Sequence, residues 1–201
     1  MNQLCYNGTN GKGVLLMNQA LLVIDSQLAL IEGDAQEPGV YNKEELLRKI
    51  NLVIEKAVGS DIPVVFIRDT SVSGGEGEGF QVHPEIHIPK DAPIFNKSAT
   101  SSFYHTPLLK FLQDRDIEHL VIAGCMTEYC IDTAVRMATV NGFDATLVGD
   151  AHGTADTPSL SAEQIIKHHN RVLNGYDNDD HFSLVRNADE DLFQPTHDNY
   201  R

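Results

Sequence analysis

An α/β fold built on a mainly parallel sheet of about six strands is what this sequence predicts, and two observations predict it. Short, continuous apolar runs recur at 20–24, 64–67, 93–95, 119–123, 145–148 and 182–185. Between most of them lie segments whose apolar residues return at helical spacing. Apolar runs without alternation suit strands buried on both faces, and strands alternating with helices pair in parallel. The 201 residues suffice for one such domain with a sizeable core. We place that core at about 18–187.

Residues 1–16 are polar and Gly-rich up to Gly13, without usable periodicity, and read as a tail. Met17, directly before the first strand, is a candidate original start. The run Ala20 to Ile24 reads as a central strand that ends at Asp25, where open α/β sheets place their sites. Residues 32–42 form a loop with Gly33, Pro38 and Gly39. Asn42 is the expected cap of a helix over 43–58, whose Leu46, Leu47, Ile50, Val53, Ile54 and Ala57 share one face. Pro63 leads the next strand, which ends at Arg68 and Asp69.

Residues 70–92 are long, Gly-rich and irregular. A loop of that length in a compact domain is usually functional, and a lid or a contact with a neighbouring subunit is expected. His83 and His87 read as surface histidines, because metal sites need a supporting ligand set that the loop lacks. The short strand 93–95 leads to Asn96 and Lys97. A hydroxyl-rich loop follows, so Lys97 is expected to point into a cleft. Thr106 caps and Pro107 starts a helix to about Arg115.

The stretch 119–150 carries the most information: HLVIAGCMTEYCIDTAVRMATVNGFDATLVGD. A buried strand runs to Ala123, and Gly124 is expected to end it. Thr127 caps a helix, Glu128 stands in its first turn, and Cys130 lies close to its N-terminus. That position can depress a thiol pKa. The next strand closes at Asp150, Ala151, His152 and Gly153. Ser161 opens a helix that holds Ala162, Ile165, Ile166 and Leu173 and ends at Gly175. His168, His169 and Asn170 read as ordinary residues near its C-terminus. An edge strand follows at 182–185, and 188–201 read as an acidic tail.

The formal net charge of −14 argues against nucleic acid and anionic membrane surfaces as partners. No apolar run approaches a membrane span and no signal peptide is convincing, so the expected location is cytoplasmic. Three cysteines give an odd count and no disulfide framework. Cys125 and Cys130 lack the spacing of thioredoxin-like or zinc sites. Cys5 and Cys125 read as buried small hydrophobes.

Asp25, Lys97 and Cys130 then sit at the carboxyl ends of three predicted strands. Together they suit nucleophilic catalysis: a thiol, an acid to take its proton, and a cation to hold the acid and favour thiolate. Backbone N–H groups at the helix start can receive an oxyanion.

On these blocks the sequence resembles the isochorismatase-like cysteine hydrolases, which include nicotinamidases and N-carbamoylsarcosine and biuret amidohydrolases. The resemblance rests on ALLVIDSQ around Asp25, NKSATSSFYHTPLLKFL around Lys97, and VIAGCMTEYCIDTAVRMATVNGFDATLVGDAH around Cys130. It implies a Rossmann-like three-layer α/β/α sandwich and an Asp25–Lys97–Cys130 triad. It also implies a cis peptide between Cys125 and Met126, and an oxyanion hole from the N–H groups of Met126 and Cys130. Family members commonly form dimers or tetramers, so a homo-oligomer is expected. Nicotinamidases carry a metal site with an Asp-x-His pair. Here Thr70 and Ser71 follow Asp69, so neither metal nor cofactor is expected. True isochorismatases lack the cysteine, so attack on a carbonyl carbon is favoured over ether hydrolysis.

The resulting expectation is hydrolysis of a C–N amide-type bond in a small molecule through a thioester. Phe103, Tyr129 and Gln27 are candidate substrate contacts. Two rival readings are a redox-sensitive or binding protein on an inactive hydrolase scaffold, and a metal-dependent nicotinamidase.

Overall fold

The computed structural model describes residues 18–34 and 37–193. The expectations placed on residues 1–16, on Met17, on Cys5 and on 194–201 lie outside them. Six strands are described: β1 (Gln19–Ile24), β2 (Val64–Asp69), β3 (Ile94–Lys97), β4 (His119–Cys125), β5 (Asp144–Gly153) and β6 (Ser183–Arg186). They form one sheet in the order β3-β2-β1-β4-β5-β6, with every adjacent pair parallel. The winding direction reverses between β1 and β4, which opens a crevice at their carboxyl ends.

The helices are α1 (Leu28–Glu32), α2 (Lys43–Gly59), α3 (Gly77–Phe80), α4 (Leu108–Gln113), α5 (Asp132–Val140) and α6 (Ala162–Leu173). Side chains alternate across a strand, so β1 feeds two cores at once. Leu21 and Val23 pack with Leu47, Ile50, Val53 and Ile54 of α2. Ala20, Leu22 and Ile24 pack with Leu108 and Leu112 of α4 and with Ala134, Val135 and Ala138 of α5. Both faces are covered, and the architecture is the three-layer sandwich.

Several local expectations change. Asn42 adopts a left-handed conformation at φ 51° and makes no side-chain cap bond. Ser161 does cap α6, in a reciprocal box with Gln164. Gly124 does not end β4; the strand continues to Cys125. Its φ is +121°, and a Cβ there would lie 1.9 Å from the Ile24 carbonyl oxygen. Glycine is therefore required by a close approach of β4 to β1, and not by a turn.

The segment 70–92 is less irregular than its composition suggests. It contains a 3₁₀ turn at Val72–Gly75 and the single turn α3. It is pinned to β1's end by a Gln27–Val82 bridge and by the His83 N–H donating to the Ser26 carbonyl at 2.8 Å. His83 is consequently buried and not a surface residue, with Nε2 3.1 Å from Glu32 Oε1. His87 is exposed. The expected tail is also anchored over 188–193: Ala188, Leu192 and Phe193 are buried against the α2 side of the sheet. Three apolar residues in an acidic run carry too little periodicity to announce that packing. Helix α1 was likewise unread, because five residues hold barely one turn.

Candidate active site

Four strand ends converge in the crevice. Asp25 follows β1 with φ at +48°, a left-handed conformation that aspartate tolerates better than most residues. Its N–H donates to the Ile67 carbonyl of β2 at 2.9 Å, and the residue is 1% exposed. Lys97 ends β3 and is also 1% exposed. A buried ammonium requires close counter-charges. Lys97 Nζ has two, Asp25 Oδ2 at 2.8 Å and Asp69 Oδ2 at 2.6 Å, and it also donates to Cys130 Sγ at 3.3 Å.

Asp69 ends β2, in register with Lys97 on the adjacent strand. Its Oδ1 accepts hydrogen bonds from the Ser71 N–H at 2.8 Å and the Ser71 hydroxyl at 2.7 Å. The sequence offered Asp69 only as a strand end and as the remnant of a broken metal pair. Parallel pairing of 66–69 with 94–97 is what brings it to the lysine.

Cys130 stands on a wide helical turn, Thr127–Ile131, that precedes α5. The Ile131 N–H reaches back five residues to the Met126 carbonyl at 3.2 Å, which gives the turn its π geometry. The expected cap, Thr127, is displaced from that role; Met126 occupies the cap position without a side-chain bond. The Cys125–Met126 peptide is cis. Cys125 is fully buried, and burial pushes its thiol well above the ordinary range.

Thr127 serves another purpose. Its Oγ1 lies 2.9 Å from Nδ1 of His152, whose Nε2 lies 2.8 Å from Asn170 Oδ1. Asn170 Nδ2 donates to the Gly149 carbonyl, which orients the amide with Oδ1 toward the ring. Burial pulls the His152 pKa down to about 4, so the ring is neutral. Nε2 then carries the proton and donates to Asn170, and Nδ1 accepts from the Thr127 hydroxyl. This chain ties β5 and α6 to the cysteine turn. The sequence reading placed Asn170 as a plain helix residue, and only the packing of α6 on β5 shows its use.

The electrostatics differ from a pre-activated thiolate. Burial, then the Asp25 charge, push the Cys130 thiol up to about 12, and Lys97 offsets only part of this. A depressed pKa was the expectation. The helix start is outweighed here because the thiol is largely buried beside a carboxylate. Burial raises Asp25 to about 6 against the pull of Lys97. Burial alone would lower Lys97, but Asp25, Cys130 and Asp69 hold its pKa above the usual range. The resting site is therefore a carboxylate, an ammonium and a neutral thiol. Asp25 Oδ1 is buried without a hydrogen-bond partner, leaving an acceptor oxygen ready for a proton.

Asp25, Asp69 and Cys130 have donor atoms within 4.8 Å of one another, a grouping that could hold a cation. The cation they surround is the Lys97 ammonium. Both Asp69 oxygens are engaged, one by Lys97 and one by Ser71. Ser71 also fills the place of the histidine in an Asp-x-His pair. The residues present do not fit a nicotinamidase-type metal.

The candidate substrate contacts separate. Tyr129 is 59% exposed and lines a cavity of about 630 Å³ beside the cysteine turn. Gln27 is fully buried and does not face that cavity. Its amide is committed to the Asp69 N–H and carbonyl and to the Phe80 carbonyl, which clamps the ends of β1 and β2 together. Phe103 is half-buried, packed against the core that α4 and α5 share, with its ring stacked on Phe143. Aromatic and amide side chains next to a motif are as useful to the scaffold as to a ligand, and their sequence position does not separate the two uses.

The family model for the Isochorismatase domain matches residues 19–170. The chain is 28% identical over 145 residues to a streptothricin hydrolase of Streptomyces noursei, covering 70% of this chain and 56% of that one. It is 29% identical over 119 residues to the nicotinamidase of Escherichia coli, covering 53% and 55% respectively. It therefore spans somewhat more than half the length of these curated relatives. A crystal structure of an isochorismatase family protein superposes with a TM-score of 0.74 at 29% identity, covering 84% of this chain and 99% of that one.

Proposed function

The chain belongs to the isochorismatase family, and from that premise we propose that it is a cysteine hydrolase of C–N amide-type bonds in a small molecule. The observation that carries this reading is one buried ammonium within hydrogen-bond distance of both a carboxylate and a thiol at the sheet's switch point. The names of the streptothricin hydrolase and nicotinamidase relatives support the reaction class.

As a carbonyl carbon approaches Cys130, Asp25 takes the thiol proton, the S–C bond forms, and the carbonyl oxygen becomes an oxyanion. The N–H groups of Met126 and Cys130 are its proposed donors. Collapse breaks the C–N bond, and the Asp25 carboxyl gives its proton to the leaving nitrogen. A water then attacks the thioester, Asp25 receives the water's proton, and it returns one to the departing sulfur. Lys97 stays protonated throughout and holds Asp25 in place. A thiol near 12 beside a carboxylate near 6 means that thiolate forms during attack and not before it. No cofactor enters the cycle.

The same reading includes a homo-oligomer, a dimer or tetramer, acting in the cytoplasm; light scattering after gel filtration tests the assembly. No helix among the described residues is long and apolar enough to cross a membrane. Activity itself is tested by ammonia or amine release from a panel of small amides and ureides, with Cys130→Ala as control and chelator present. Release that vanishes in the variant supports the reading. Release that persists in Cys130→Ala, or that needs added metal, overturns it.

A further inference from the structure

We propose that the cavity beside the cysteine turn selects a cationic amide. An ammonium or guanidinium of the substrate would sit among the cavity's carboxylates while the amide carbonyl meets Cys130. The inference rests on the cysteine-hydrolase reading above and adds the substrate class to it.

Charge is the first support. The cavity of about 630 Å³ is lined by Asp34, Glu37, Glu128 and Asp156, and by no lysine, arginine or histidine among the described residues. Asp34 and Asp156 each also accept a backbone N–H, from Glu37 and Ala162. Carboxylates that line a concave surface focus a negative potential there and favour a positive ligand group over a negative one.

Hydrogen-bonding capacity is the second and independent support. Thr154 lines the same cavity and is 0% exposed, yet its Oγ1 has no hydrogen-bond partner. Buried hydroxyls are normally satisfied. Glu128 Oε2 is buried without a partner as well. The wall of the cavity thus leaves a hydroxyl and a carboxylate oxygen without partners; an N–H donor would satisfy either, whereas a second acceptor could not satisfy the carboxylate. The exposed ring of Tyr129 at the rim adds a face on which a cation can rest.

The position is the third support. Met126, Glu128 and Tyr129 belong to the turn that carries Cys130, and all three line the cavity. Cys130 follows Tyr129 on that turn without itself lining the cavity, so the cavity flanks the nucleophile.

The test compares three amides of one length: 6-aminohexanamide, hexanamide and the monoamide of adipic acid. We expect kcat/KM to favour the cationic amide over the neutral one by roughly tenfold or more, with the anionic amide slowest. Glu37→Gln and Glu128→Gln should each cut the rate on 6-aminohexanamide several-fold more than the rate on hexanamide. Equal rates on all three, or variants that lower the cationic and neutral rates alike, overturn the inference. Cys130-dependent turnover without charge preference would leave the hydrolase reading standing.

If none of the three is turned over, reaction of Cys130 with a cationic and an anionic methanethiosulfonate supplies the answer, in a chain carrying Cys5→Ser. The rate ratio, normalised to a free thiol, should favour the cationic reagent and fall in Glu37→Gln. A ratio that Glu37→Gln does not move overturns the inference without reference to any hydrolysis.

Discussion

Replacing Asp69 by asparagine tests whether two carboxylates share one ammonium in the crevice at the sheet's carboxyl edge. Asp69 and Asp25 place oxygens within 4.8 Å of each other, with Lys97 Nζ between them. Two unit charges at that separation repel by about 3.5 kcal/mol at an effective dielectric of about 20. That is roughly 2.5 pK units before the intervening ammonium and the partly open Asp69 reduce it. We expect a shift of about one unit. Removing a neighbouring negative charge makes Asp25 easier to ionise, so its pKa falls from about 6. The acid limb of kcat/KM against pH, which follows ionisation of the base, should move to lower pH by that amount. The assay is initial-rate release of ammonia or amine between pH 4 and 9 on the best substrate of the panel. An acid limb that stays in place, or moves to higher pH, would refute the shared-ammonium arrangement.

Three further outcomes are expected. Asp25 titrates near 6 in the folded chain against 3.8 as a free side chain, so ionisation above pH 6 opposes folding, and the penalty is absent below about pH 4. Asp25→Asn should therefore abolish amidase activity and, although buried Lys97 loses one of its two counter-charges, its stability relative to the parent should improve between pH 3.5 and pH 7.5. Thermal melts of both proteins at the two pH values check this, and a stability difference that stays level or worsens as pH rises would contradict it. Gly124→Ala meets the Ile24 carbonyl at 1.9 Å and should cost about 4 kcal/mol or more, read as loss of soluble protein or of the urea midpoint. Thr127→Val strands the buried Nδ1 of His152 and should cost about 1–3 kcal/mol and lower kcat, with Thr127→Ser restoring most of both.

The sequence by itself determined the layers and the three residues at the centre. Strand runs such as 20–24 and 119–123 are apolar on both faces because they are buried on both, and helix 43–59 shows one buried face at its own period. Those periodicities are local and survive without a structure. Asp25, Lys97 and Cys130 were legible because each follows an apolar run, and a parallel sheet gathers such ends at one edge.

What the tertiary structure decided is whatever depends on two distant segments meeting. Asp69 joins Lys97 only through the register of β2 and β3. His152 meets Thr127 and Asn170 only because β5 lies between the cysteine turn and α6. Gln27 clamps the backbone at Asp69 and Phe80 through both atoms of its amide, segments 42 and 53 residues away in sequence. The protonation of Cys130 also had to wait, because a thiol's pKa is set by burial and by charges brought in from other strands. A helix start read from the sequence suggests a thiolate; the folded surroundings leave a thiol.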